Sequence, residues 1–157
     1  MAFLVHDRFA FLDPGRLVDD DLELVLVSTT AADPVRGWVP AYNFEMRHVD
    51  TGAFLGSISL RIGNNDHIRL YAGHIGYSVV PHHRGHHYAA RSCMLLYPLA
   101  RAHGLCHIWI TCNPDNWASR RTCELAGGVY VETVNVPPSD GVYGPGEERK
   151  CRYRVDL

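Results

Sequence analysis

HIGYSVVPHHRGHHYAARSCMLLYPLARAHG, residues 74–104, decides how this chain folds. It opens as an alternation, with Ile75, Tyr77 and Val79 set against His74, Gly76 and Ser78, the signature of a strand with one buried face. Pro81 ends that pattern, and Arg84 and Gly85 follow in a tight turn. The period then changes. Ala89, Cys93, Leu96, Tyr97 and Ala100 recur at helical spacing, with Gly104 placed to close the helix in a left-handed conformation. Pro98 falls inside the pattern, removes one helical hydrogen bond and crowds the carbonyl of Met94, which predicts a kink or an early stop. A strand that empties through a tight loop into a helix start presents unpaired N–H groups and the positive end of a helix dipole. That is a cradle for an anion such as a pyrophosphate.

Working outward, residues 22–27 (LELVLV) read as a strand, and residues 29–40, with two prolines and a glycine, as loop with at most one helical turn. Residues 43–49 and 54–62 read as strands joined by Asp50-Thr51-Gly52, which is hairpin chemistry. In the second, Phe54, Gly56, Ile58, Leu60 and Ile62 share a face. Residues 63–70 read as loop and 71–80 as the fourth strand. Downstream, residues 105–112 form a buried strand, and NPDN (113–116) ends in the N-cap candidate Asn116. Residues 117–126 form a short helix closed by Gly127-Gly128, and residues 129–136 and 149–155 are strands. PPSDGVYGPGEE (137–148) is too long for a simple hairpin and is suspect as a binding loop. Residues 1–20 show no regular pattern. The expectation is one domain over residues 1–157, of α/β (α+β) class. Its sheet has about seven mostly antiparallel strands and is flanked by helices.

Apolar content of 46% and charged content of 20% belong to an ordinary globular protein. A formal net charge of −2 gives no electrostatic case for nucleic acid or an anionic membrane. No apolar run approaches the roughly 18 residues of a spanning helix. The opening MAFLVHDRFAF lacks a signal-peptide core, and five cysteines without CxxC spacing fit reduced thiols, so a cytoplasmic protein is expected. Ten histidines, with His82, His83, His86 and His87 clustered, raise a metal reading. HRGHH lacks the Glu of HExxH and lies on a turn, so solvent exposure or ligand contact is favoured and no metal is expected.

The residues resemble the GNAT superfamily of acyl-CoA-dependent N-acyltransferases. Its loop pattern Q/R-x-x-G-x-G/A falls on residues 84–89, with His87 in place of the middle glycine. A second block, an Asn opening a short helix that ends in Gly before a strand, falls on Asn116, Ala118, Ser119 and Gly127. The resemblance covers roughly residues 43–155, and the family's two N-terminal helices are truncated here. It implies acetyl-CoA as co-substrate, with its pyrophosphate on Arg84, Gly85, His86, His87, Tyr88 and Ala89, His87 beginning the helix. Its pantetheine arm would lie along Tyr77, Val79 and Val80, and Asn116, Ser119 and Arg120 would hold the far side. The backbone N–H near Ser78 would hold the oxyanion.

The family's frequent acid, a Tyr in the second block, is replaced by Cys123, and its frequent base by Thr111. The expected groups are therefore Cys123 as acid and His74 or Glu45 as base, with Glu45 and Tyr143 on the acceptor. The function implied is direct acetyl transfer to an unidentified small-molecule or peptide amine. The short segment 29–42 suggests an open acceptor site or one completed by a second subunit in a homodimer. The alternatives are a non-catalytic acyl-CoA-binding regulatory protein of the same fold and, less favoured, a His-cluster metal-binding module.

Overall fold

A computed structural model describes residues 9–157. The order is β1 (Leu17–Asp19), β2 (Leu22–Thr30), β3 (Ala41–His48), β4 (Phe54–Arg61), a π-helical turn (His67–Ala72), β5 (Ile75–Val79), a 3-10 turn (Pro81–His83), α1 (Tyr88–Ala102), β6 (His107–Cys112), α2 (Trp117–Leu125), β7 (Val129–Asn135) and β8 (Arg149–Asp156). The expected mixed fold of antiparallel strands and few helices holds. The strands divide into two sheets, β1-β2-β3-β4-β5 in chain order and β6-β8-β7 with β8 central.

Alternation along the strands sets the layers. Tyr42, Phe44 and Met46 of β3 and Ile58 and Leu60 of β4 are almost wholly buried, and they pack with Cys93, Leu96 and Ala100 of α1. Ile108 and Ile110 of β6 and Tyr153 and Val155 of β8 complete the same core. The other face of the five-stranded sheet is polar: Asn43 bonds Ser28, Thr30 and Ser59 across three strands. No described helix is long and apolar enough to cross a membrane.

Four readings of the sequence change. Residues 17–19, expected to be irregular, form β1. The acidic turn after it anchors α1: Arg91 Nε donates to Asp19 (2.6 Å) and its Nη2 to Asp21 (2.7 Å). Tyr88 donates its hydroxyl proton to Asp21 as well (2.7 Å). These bonds, that from Tyr88 foremost, hold the Asp21 carboxyl below its ordinary range. The fourth strand starts only at Ile75, because residues 67–72 wind into a π-helical turn, with Asn65 Oδ1 accepting from Ile68 N–H (2.9 Å). Helix α1 runs through Pro98 to Ala102, so the proline does not stop it. Leu55, beside the expected apolar face of β4, is also buried, next to a register shift at Met46–Arg47.

The feature that positions the site is the parting of β5 from β6. His74 N–H donates to Trp109 O (2.7 Å), and Trp109 N–H donates to His74 Nδ1 (2.9 Å). Beyond that stitch the two strands belong to different sheets.

Candidate active site

An edge strand carries unpaired backbone groups, and the register of β5 says which residues own them. Val80 N–H donates to Leu55 O (2.9 Å), and Arg61 N–H donates to His74 O (2.7 Å). In an antiparallel ladder directly opposed residues alternate between bonded and non-bonded pairs. With Ser57 opposite Ser78 and Ser59 opposite Gly76, the backbones of Gly76 and Ser78 point at β4. Those of Tyr77 and Val79 point into the gap toward β6. Arg84 Nε donates to Val79 O (3.2 Å), as an outward carbonyl requires. The expected Ser78 N–H is therefore engaged with β4, and the open donors are its two neighbours.

The same gap ends at the start of α1. This helix has no side-chain cap and no acidic residue in its first turn, so its first N–H groups are unfilled. Gly85 has φ of 96°, and His87, the N-cap, has φ of 58° and ψ of 28°. His87 was expected to be helical, which would have changed the loop. It instead takes the left-handed conformation a glycine would take, so the loop keeps its geometry despite the β-carbon. Such a conformation costs roughly 1–2 kcal/mol for a non-glycine residue.

Helix α2 supplies the opposite wall. Asn116 caps it by accepting from Ser119 N–H (3.1 Å). Tyr77 reaches across the gap, its hydroxyl 2.6 Å from Ser119 Oγ. A cleft of about 510 Å³ brings together Tyr77, Ser78, Val79, Arg84, Gly85, His87, Tyr88, Ala89, Asn116 and Ser119. Ala118, already part of the second family block, also lines it, as do Arg121 and Thr122, which were not anticipated. Arg121 lies one turn beyond Trp117 on α2 and also pairs with Glu124 (3.1 Å). A second cavity continues past Tyr77, Asn116 and Ser119 to Arg61, Thr111, Asn113, Glu147 and Lys150. Lys150 is held by Glu147 and Asn113, and these bonds outweigh the burial of Glu147 and keep its carboxyl ionised.

Several expected groups lie elsewhere. His74 is 0% exposed, with Nδ1 taken by Trp109 and Nε2 bonded to Asn64 Oδ1 (3.0 Å). Burial lowers its pKa to about 4, so it is a neutral stitch between β5 and β6 without a free nitrogen for a base. Cys123 is fully buried. Its hydrogen bond to Cys112 and its burial push the thiol far up, and it lines neither cavity. Glu45 pairs with Arg47 on the polar sheet face, and Tyr143 is exposed outside both cavities, whereas Val142 and Glu147 of its loop line the second. Arg120 turns away, donating to Tyr153 Oη (3.0 Å) and Pro114 O (3.2 Å). Val80 and His86 are outside the cleft walls. Among the described residues no group of three or more His, Cys, Asp or Glu is placed to hold a metal ion, and His82, His83, His86 and His87 include no such group.

Residues 19–129 match the family described as "Acetyltransferase (GNAT) domain". The chain belongs to the GNAT acetyltransferase family. Its fold is similar to that of a putative ribosomal-protein-serine acetyltransferase from Vibrio cholerae (TM-score 0.65, 14% identity, 93% of this chain and 100% of that one). It is also similar to the ribosomal L7/L12 alpha-N-protein acetyltransferase solved with coenzyme A (0.65, 15%, 90% and 98%). A third, the microcin C7 self-immunity acetyltransferase solved with acetyl-CoA and AMP, shares the fold over 74% of this chain and 61% of that one (0.57, 15%). No curated protein sequence matches the chain. In GNAT terms, the Q/R-x-x-G-x-G/A loop is the turn from Arg84 to Ala89, and among the described residues a loop joins β2 to β3 where the family has two helices.

Proposed function

We propose that this GNAT member is an acetyl-CoA-dependent N-acetyltransferase, a single domain that passes the acetyl group directly to an amine. The observation that carries the reading is the continuity of one cleft. The open edge of β5, the uncapped start of α1 and the Asn116 turn of α2 all face it. The pyrophosphate fits the N–H groups from Gly85 to the first turn of α1, with Arg84 and Arg121 beside it. The helix dipole adds roughly 0.3–1 kcal/mol per charge there. The pantetheine amides pair with the outward backbone of Val79, as an added strand would. Running back from the loop, the next outward donor after Val79 is Tyr77 N–H, which fits the thioester carbonyl and the oxyanion that forms on it.

The amine nitrogen attacks the carbonyl carbon, the C–S bond breaks, and the leaving thiolate takes a proton. Tyr77 is the group that fits as donor. Its hydroxyl lies beside Ser119 and Cys123, one turn apart on α2, so a phenol from β5 reaches the place where many relatives bring one from α2. Burial, more than any other cause, raises its pKa, so the hydroxyl starts protonated but is a weak acid, and its place rather than its acidity carries the assignment. The amine's own proton leaves toward Glu147 and solvent.

The test is release of coenzyme A thiol from acetyl-CoA over a panel of amines, alongside calorimetry of coenzyme A binding. Turnover with micromolar binding is the expected result. Binding without turnover on any amine would favour the regulatory acyl-CoA-binding reading, and absence of binding would remove both.

A further inference from the structure

Arg61 ends β4 on the polar face of the five-stranded sheet, and it is partly buried. Its Nη1 donates to Ala72 O (3.2 Å) and Gly73 O (3.0 Å), which fixes the guanidinium plane. The plane lies across Gly76: a Cβ added there would meet Nη2 at 2.9 Å. Gly76 is thus the floor that lets the arginine lie flat beside β5. Nε and Nη2 donate to no described residue, and no described carboxylate stands within 4.0 Å of the guanidinium. The neighbouring charges are matched. Lys150 pairs with Glu147, His67 Nδ1 stands 2.9 Å from Asp140, and Arg36 stands 3.5 Å from Asp33.

A partly buried guanidinium without a counter-charge, its Nε and Nη2 facing a cavity and open to solvent, is stabilised when an anion binds there. Its place says which anion. Arg61 lines the cavity that continues the cofactor cleft past Tyr77 and Asn116, and it sits over the residue just before Tyr77. Building on the proposed acetyl transfer, we infer that Arg61 recognises a carboxylate carried by the acceptor amine, within a few bonds of the nitrogen that is acetylated. The substrate class is an amino acid or a short peptide rather than a polyamine. Nε and Nη2 form one edge of the guanidinium, the edge that takes two oxygens of one carboxylate. A phosphate dianion fits less well, since one cation does not neutralise it and Glu147 and Asp140 stand nearby.

The experiment is calorimetry of the full chain loaded with coenzyme A. The probes are N-acetyl derivatives of the twenty amino acids, each against its own carboxamide. At least one carboxylate should bind about tenfold or more tightly than its amide, as loss of hydrogen bonds to a charged group predicts. Arg61→Met should erase that preference and Arg61→Lys should keep part of it. Equal binding of amides, absence of any carboxylate binding, or a preference that survives in Arg61→Met overturns the inference. If Arg61→Met does not fold, the comparison of acid with amide in the unaltered protein decides alone. Thiol release with the parent amino acids separates this from the activity. Carboxylate binding without thiol release sinks acetyl transfer and leaves the site, whereas turnover of neutral amines without preference sinks the Arg61 assignment alone.

Discussion

His87 holds a left-handed backbone at the turn into α1 with a side chain that disfavours it. Replacing it with glycine removes the clash but loosens the unfolded chain, so His87→Gly should change stability by no more than about 1 kcal/mol. His87→Val, with a branched β-carbon in the same conformation, should destabilise by more than about 1 kcal/mol in urea unfolding. Tyr77→Phe keeps the ring in the wall and deletes only the hydroxyl. It should lower kcat by about a hundredfold while the KM for acetyl-CoA stays nearly unchanged. An unaltered kcat would move the proton donor elsewhere. His74 titrates in the unfolded chain near 6.5 and in the fold near 4. Its folded pKa is depressed, so the unfolded state binds the extra proton between those values. Stability from this residue is complete above pH 6.5 and is lost as pH falls toward 4, up to about 3 kcal/mol. Unfolding free energies measured at pH 7, 5.5 and 4.5 should fall in that order, and less steeply in His74→Gln.

The strand, turn and helix around Arg84 carry the proposed anion cradle. Arg84→Glu puts a negative charge beside the pyrophosphate position and should weaken coenzyme A binding at least about tenfold by calorimetry. This unit was legible in the sequence because each half keeps its own period, two before Pro81 and 3.6 after it. The loop spacing pointed to the proposed cradle, whereas the lack of a side-chain cap on α1 shows only in the fold. Elements that escaped did so for physical reasons. Three residues of β1 are too few to show a period. Residues 67–70 read as loop and 71–72 as strand, whereas the bond from Ile68 N–H to Asn65 and the turn at Gly73 (φ 75°) go with a π-helical segment there, distinct from either reading. The catalytic assignments escaped because they depend on distant neighbours. His74 is closed by Trp109, 35 positions away, and Tyr77 is aimed by Ser119, 42 positions away. Helix position alone made Cys123 and Arg120 look available, whereas packing buries the first and β8 captures the second.

At the scale of the whole molecule, two antiparallel sheets share one core and part between β5 and β6, held at the base by His74 and Trp109. The gap so opened holds the cleft proposed for coenzyme A, and the second cavity continues it toward Arg61 and the loop before β8. On the polar face of the five-stranded sheet Asn43 bonds Ser28, Thr30 and Ser59, and Trp38, Val39 and Ile68 wall a cavity beside it. The central claim is that the edge of β5 and the start of α1 bind coenzyme A together. Amide-resolved hydrogen exchange, with and without coenzyme A, tests it most directly. Tyr77, Val79 and the amides from Gly85 to Ala89 should gain protection together, while Ser78, already bonded to β4, should not. Protection confined to the polar sheet face, or Ser78 responding in place of its neighbours, would contradict the account.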